Sequence, residues 1–167
     1  MKKLTIDVAA LVLRIAIGLI FIPHGYSKVF GAHGAAGFAA DMPSYGIPAF
    51  LGYAAAYAEF FGAILLIAGF LTRVDAFLLA CTMGVAVFVV QMPDALNGLA
   101  PGGSKFPEVM KAIELPLSLM SGSVALLLLG AGRLSVDGLL RLDERLSARL
   151  WKKKTAAEAA VLPISQS

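Results

Sequence analysis

A single cysteine, Cys81, stands in the whole chain. No intrachain disulfide can form, no C-x-x-C redox pair exists, and an iron–sulfur cluster lacks its thiolate ligands. Cys81 lies in an apolar run and reads as a small core residue. Histidine is nearly as scarce, with only His24 and His33. Ligating a haem between two imidazoles inside a membrane needs two embedded histidines, and only His24 qualifies, because His33 falls in a connection. Neither haem nor metal is therefore expected. Charge is also short: 15% of residues are charged and 59% are hydrophobic, where soluble domains carry about a quarter charged. Basic residues gather near the ends, with no basic groove and no stacking aromatics between them, so nucleic acid is not an expected partner. No phosphate-binding glycine motif and no nucleophile triad is present. The segment GAHGAAG at 31–37 lacks a preceding strand and reads as a flexible turn.

What the chain has in abundance is apolar length, with a mean hydropathy of +0.82. A membrane-spanning helix needs about 20 mostly apolar residues. Four segments reach that length, at 7–30, 48–71, 74–93 and 110–130. The first follows Lys2 and Lys3 as a signal peptide would, but it is too long, has no A-x-A cleavage site, and is followed by further spans, so it reads as a retained helix. Pro48 opens the second span, where a missing N–H is harmless. Gly69 and Thr72-Arg73 close it, Met92-Pro93-Asp94 ends the third, and Pro101-Gly102-Gly103 precedes the fourth. Pro116 is expected to kink the fourth or mark its first turns. The expected fold is an all-α membrane protein: a four-transmembrane-helix bundle over residues 1–134, a cytoplasmic amphipathic helix over 135–154, and a disordered tail over 155–167.

Lys and Arg set the orientation. Lys2, Lys3, Arg73 and the cluster from Arg133 to Lys154 lie on one side; the connection at 31–47 has neither residue, and that at 94–109 has only Lys105. Both termini are expected in the cytoplasm. In SVDGLLRLDERLSARLWKKK, Leu139, Leu142, Leu146 and Leu150 recur at helical spacing, with Arg141, Arg145 and Arg149 turned away from them. That pattern is expected to lie on the membrane surface against anionic lipid headgroups.

Ionisable groups inside spans are costly and tend to mark function. Here they are Arg14, His24, Glu59 and Glu114, with Lys28 near the outer boundary. Arg14, Gly18, Phe21, Gly25 and Lys28 share a face of the first span; Ala55, Glu59, Gly62, Leu66 and Gly69 share one on the second; Glu114, Ser118, Ser121 and Ala125 share one on the fourth. Small residues on each stripe let helices approach closely. The spacing predicts an inner Arg14–Glu59 pair and an outer cluster of His24, Lys28 and Glu114, to which Tyr53 and Tyr57 add hydroxyl donors. Such groups either handle protons and polar ligands or fix helix register.

The stretches LRIAIGLIFIPHGYSKVFG, AEFFGAILLIAGFLTR and GAGRLSVD resemble the DoxX family of small bacterial membrane proteins, over roughly residues 10–140. The resemblance implies a four-helix fold in the bacterial cytoplasmic membrane. It further implies association with terminal quinol oxidation, thiosulfate–quinone oxidoreduction or oxidative-stress complexes, and motif residues at Arg14, His24, Gly25, Lys28, Glu59, Gly62, Gly69 and Arg73. The leading expectation is a subunit of a membrane oxidoreductase, or a quinone-handling protein. His24 and Lys28 bond a quinone carbonyl, Glu59 or Glu114 exchanges its proton, Arg14 and Tyr57 contribute contacts, and redox partner proteins supply electrons. A small transporter or proton pathway, formed as a homodimer, and a non-catalytic scaffold remain open.

Overall fold

The computed structural model describes residues 2–93, 96 and 106–140. Among them the chain is helical, with no strand. Helix α1 runs Lys2–Phe30, α2 Gly34–Asp41, α3 Ala49–Ala68, α4 Thr72–Val85, α5 Phe106–Leu129 and α6 Val136–Leu140. A 3₁₀ turn at Met42–Tyr45 follows α2, and α4 continues as a π-helix over Ala86–Gln91. Four helical stretches are long and apolar enough to cross a membrane: Leu4–Phe30, Ala49–Ala68, Thr72–Gln91 and Met110–Leu129. The protein is an all-α membrane bundle. The expected amphipathic helix is described only at its start, in α6; the rest of 135–154 and the tail at 155–167 lie outside the described residues.

Polarity in the bundle is reversed relative to a protein in water. Large apolar side chains such as Val12, Leu19, Phe61, Phe88 and Leu128 point outward, while Arg14, Glu59, Thr72, Asp75 and Ser123 are buried. Lipid makes outward apolar groups cheap and confines polar ones to the interior. The apolar core between spans is built by Ile17, Phe21, Leu66, Leu79 and Leu126.

Glycines set how the spans meet. A Cβ on Gly25 would lie 2.5 Å from the backbone nitrogen of Phe60. The α1 backbone therefore rests directly on α3 beside Glu59, a close approach that only glycine permits. Two turns lower, a Cβ on Gly18 would strike Ile67 at 2.4 Å. These contacts fix the antiparallel register of α1 and α3.

The connection at 31–47 is more ordered than its composition suggests. GAHGAAG does not form a simple flexible turn; it contains the first residues of α2, whose Ala39 packs on α3 together with Met42 of the following turn. A Cβ on Gly52 would come within 2.7 Å of the Ala39 Cα, so small residues again permit the approach.

The fourth span also departs from expectation. Its inward face carries Ile113, Leu119, Ser123 and Leu126, whereas Glu114, Ser118 and Ser121 are exposed. The Ser118 hydroxyl donates to the Glu114 carbonyl at 2.7 Å and that of Ser121 to Leu117 at 2.8 Å. Serines that bond back to their own helix are satisfied without a neighbour, so spacing alone misassigned the face.

Candidate functional site

Among the described residues, the half of the bundle away from the termini holds one ion pair. Lys28 donates to both oxygens of Glu59, each at 2.6 Å. The Glu59 side chain is 2% exposed and that of Lys28 25%. A carboxylate so deeply placed needs its charge matched, and a bidentate ammonium partner matches it. Phe38 of α2 adds a further contact, its ring centroid 4.7 Å from the Lys28 ammonium. A cation over an aromatic face is attracted by the ring quadrupole. The ordered connection at 31–47 thus positions one member of the site.

The pair lines two cavities. The larger, about 430 Å³, is formed by α3, α4, α2 and the 3₁₀ turn. Its lining is almost wholly apolar apart from Lys28 and Glu59, with Asp41, Tyr45 and Thr82 at other points of its wall. Leu51, Leu78, Cys81 and Val85 belong to this lining and are themselves exposed on the outer surface of the bundle, so the cavity opens sideways between α3 and α4. The smaller cavity, about 280 Å³, is lined by His24, Lys28, Glu59, Gln91 and Lys111 among others. Ala86, where the π-helical segment begins, touches both cavities, and Gln91, where it ends, faces the smaller. A π-turn widens a helix locally and re-aims the residues after it, which is why such turns recur at functional sites.

The structure regroups the residues singled out from sequence. Arg14 does not pair with Glu59. The Gly25–Phe60 contact puts Glu59 level with Gly25, eleven residues beyond Arg14 and roughly 16 Å away along the axis. Arg14 lies instead at the terminal end, fully buried, where its Nη2 donates to the Leu134 carbonyl beside Gly69. It tethers the GAGRLSVD segment to the bundle. Lys28 takes the place expected for Arg14. Glu114 is exposed and lines neither cavity; Lys111, one turn earlier on α5, supplies that helix's charged group. His24 is exposed on α1 but does line the smaller cavity. Tyr57 is exposed and stacks with Phe61 at 6.2 Å, away from both cavities. Cys81, read as a core residue, is exposed at the mouth of the larger cavity.

Three further groups escaped the sequence reading. Phe38 was hidden in a segment that looked like loop. Gln91 and Lys111 sit at the ends of spans, where polar residues are ordinary. No cluster of three or more His, Cys, Asp or Glu suited to a metal occurs among the described residues.

At the terminal end a second network closes the bundle. Asp137 accepts from the backbone N–H of Leu71 and of Thr72, both at 2.8 Å, and its own N–H donates to Gly69 O at 2.9 Å. Asp7 accepts from the Arg133 N–H at 3.0 Å. Gly69 is left-handed, with φ 72°, and a Cβ there would collide with Arg14, so glycine is required on both counts. The Gly69-to-Arg73 turn and the post-span segment are therefore one structural unit.

Comparison with known proteins identifies relatives of the chain. The DoxX family model matches residues 9–92, a stretch that contains Arg14, His24, Lys28 and Glu59. A protein named "Putative oxidoreductase CatD" from Bacillus subtilis (strain 168) is 34% identical over 94 residues, covering 56% of this chain and 68% of its own. A protein named "Inner membrane protein YqjF" from Escherichia coli (strain K12) is 30% identical over 142 residues, covering 84% of this chain and 97% of its own. No solved structure matches. With half the chain under the family model and a 30% identical relative matched over 97% of its own length, this protein belongs to the DoxX family.

Proposed function

We propose that the chain is a subunit of a membrane oxidoreductase in the bacterial inner membrane, and that it binds the head group of a quinone or quinol in the larger cavity. One observation carries the reading: the Lys28–Glu59 pair is set into the wall of an otherwise apolar, sideways-opening cavity of about 430 Å³. Ligand pockets span roughly 300–1,000 Å³ and combine apolar walls with a few placed polar groups. A ligand dissolved in the bilayer reaches this one without crossing water. The oxidoreductase in one relative's name and the inner membrane in the other's support the same reading.

A quinone, when bound, supplies two-electron, two-proton chemistry. The chain's own residues hold and orient it. Lys28 turns a proton toward a ring oxygen, and Phe38 keeps the ammonium at the cavity wall. Glu59, shielded from water, accepts or returns the proton of a ring hydroxyl. Electrons come from a partner protein.

The test uses full-length protein in lipid nanodiscs titrated with a short-chain quinol. The melting temperature is expected to rise with quinol concentration, as any ligand of the folded state requires. Lys28→Met and Glu59→Gln are expected to abolish the rise. Glu114→Gln and Tyr57→Phe, which lie outside both cavities, are expected to keep it. A melting temperature that stays fixed at saturating quinol overturns the reading.

A second reading has one observation in its favour. Two cavities meet at a single buried ion pair, as a proton or solute pathway would need. Flux into proteoliposomes that disappears in Glu59→Gln, without any quinol effect on melting, would select it.

A further inference from the structure

Asp75 has no part in the site just described, and its surroundings are unusual for a carboxylate. It is 5% exposed, inside the third span, and its Oδ2 is buried with no hydrogen-bond partner among the described residues. By sequence it is an acid in the first turn of a helix, an ordinary place for one. The structure gives that capping role to another residue. The N-terminal N–H groups of Leu71 and Thr72 are already taken by Asp137. Asp75 is thus a second carboxyl at a helix end that a first one has capped.

From α6 comes Asp137, close enough for the two carboxyls to interact electrostatically. From α1 comes Arg14, which also interacts with Asp137 and spends Nη2 on the Leu134 carbonyl, while its Nε and Nη1 have no partner among the described residues. On α4 itself, the Thr72 Oγ1 is buried and unpartnered, and Arg73 is exposed and donates to the Leu127 carbonyl at 3.0 Å. In this half of the membrane α5 contributes no ionisable side chain to the interior; its buried polar residue is Ser123. From α3 comes Gly62. A Cβ placed there would lie 4.0 Å from the Asp75 Oδ1, and Glu59 precedes Gly62 by one turn, about 4.5 Å of rise. Gly62 therefore leaves space beside Asp75 one turn along α3 from Glu59.

We infer that Asp75 is a proton-binding site that exchanges its proton with Glu59 past Gly62, serving the ligand cavity from the terminal half of the bundle. An unpaired carboxylate in an apolar interior is too costly to keep its charge, and two interacting carboxyls favour one shared proton. Each Asp137 oxygen already accepts a backbone N–H, whereas the Asp75 Oδ2 accepts none. Exchange moves a proton from one carboxyl to the other through water beside Gly62, with no change in electron count. The inference rests on the reading that Glu59 handles protons at the cavity.

Full-length protein in lipid vesicles supplies the test. Dicyclohexylcarbodiimide, a membrane-soluble reagent for protonated carboxyl groups, is expected to give an adduct at Asp75, located by peptide mass. That adduct is expected to diminish as pH rises and to be lost in Asp75→Asn. The infrared carbonyl band of a protonated carboxyl is expected in the wild type and absent from Asp75→Asn. Its shift on transfer to heavy water is expected to slow several-fold in Gly62→Ala and in Glu59→Gln. Gly62→Ala is suitable because its Cβ meets Leu79 at 3.9 Å and Asp75 at 4.0 Å, both ordinary contacts. Absence of both adduct and band from the wild type overturns the inference. So does heavy-water exchange that is as fast in both variants as in the wild type. If Asp75→Asn does not fold, the position of the wild-type adduct still decides. The quinol-dependent melting shift does not involve Asp75, so failure of the ligand reading is distinguishable from failure here.

Discussion

Two glycines that look alike in sequence have opposite tolerances. Gly25 and Gly62 both lie on small-residue stripes. A Cβ on Gly25 would sit 2.5–2.8 Å from the backbone of Glu59 and Phe60, atoms that cannot move without separating two helices. A Cβ on Gly62 meets only ordinary contacts. Gly25→Ala is therefore expected to destabilise the bundle by about 2 kcal/mol or more, within the usual cost of overpacking. Gly62→Ala is expected to leave stability nearly unchanged. Melting of both variants in the same detergent checks the contrast; equal melting temperatures would mean that α1 does not rest on α3 as described. At this scale the sequence exposed the right residue types. Lys28 and Glu59 stood out as intramembrane charges, and both line the candidate site. Their pairing was not legible, because register between spans is set by contacts such as Gly25 on Phe60, which hydropathy and helical spacing do not encode.

Elements show the same division between what composition encodes and what packing decides. The number of spans follows from apolar length, and four were found. The inward face of α5 did not follow from spacing, since its serines are satisfied by their own helix. Nor did the role of α6, where a five-residue helix carries the cap of another element. Leu71, at the start of α4, adopts φ 52°, a left-handed conformation costly for a residue that carries a Cβ. Two bonds to Asp137 hold it there. Asp137→Ala is expected to lower stability by about 2 kcal/mol, the upper part of the range for losing a helix cap. Asp137→Asn, which keeps one acceptor oxygen, is expected to lose less. Faster amide exchange at Leu71 and Thr72 in Asp137→Ala, with the amides of α3 unchanged, would locate the effect. Uniform loss of protection throughout the bundle would contradict a local cap.

For the whole molecule, the decisive property is which way the bundle faces. An even number of spans puts both ends of the described bundle on one side. The Lys and Arg concentrated around Lys2, Arg73 and Arg133–Lys154 then favour the cytoplasm for that side. A fluorescent protein that folds only in the cytoplasm is expected to be bright when fused after the last residue. Alkaline phosphatase, active only outside, is expected to be active when inserted after Gly46, in the connection that holds α2. The reversed pair of signals would place the ends outside. The outcome fixes more than topology. With the ends inside, the sideways mouth of the larger cavity opens into the outer leaflet, and the Arg14, Asp75 and Asp137 cluster faces the cytoplasm. Ligand and proton would then reach the Lys28–Glu59 pair from opposite halves of the membrane, a geometry in which each turnover moves charge across it. With the ends outside, the same residues would move charge the other way. The direction of any such movement is therefore set by the basic residues of the connections and ends, of which the described Arg73 and Arg133 line neither cavity.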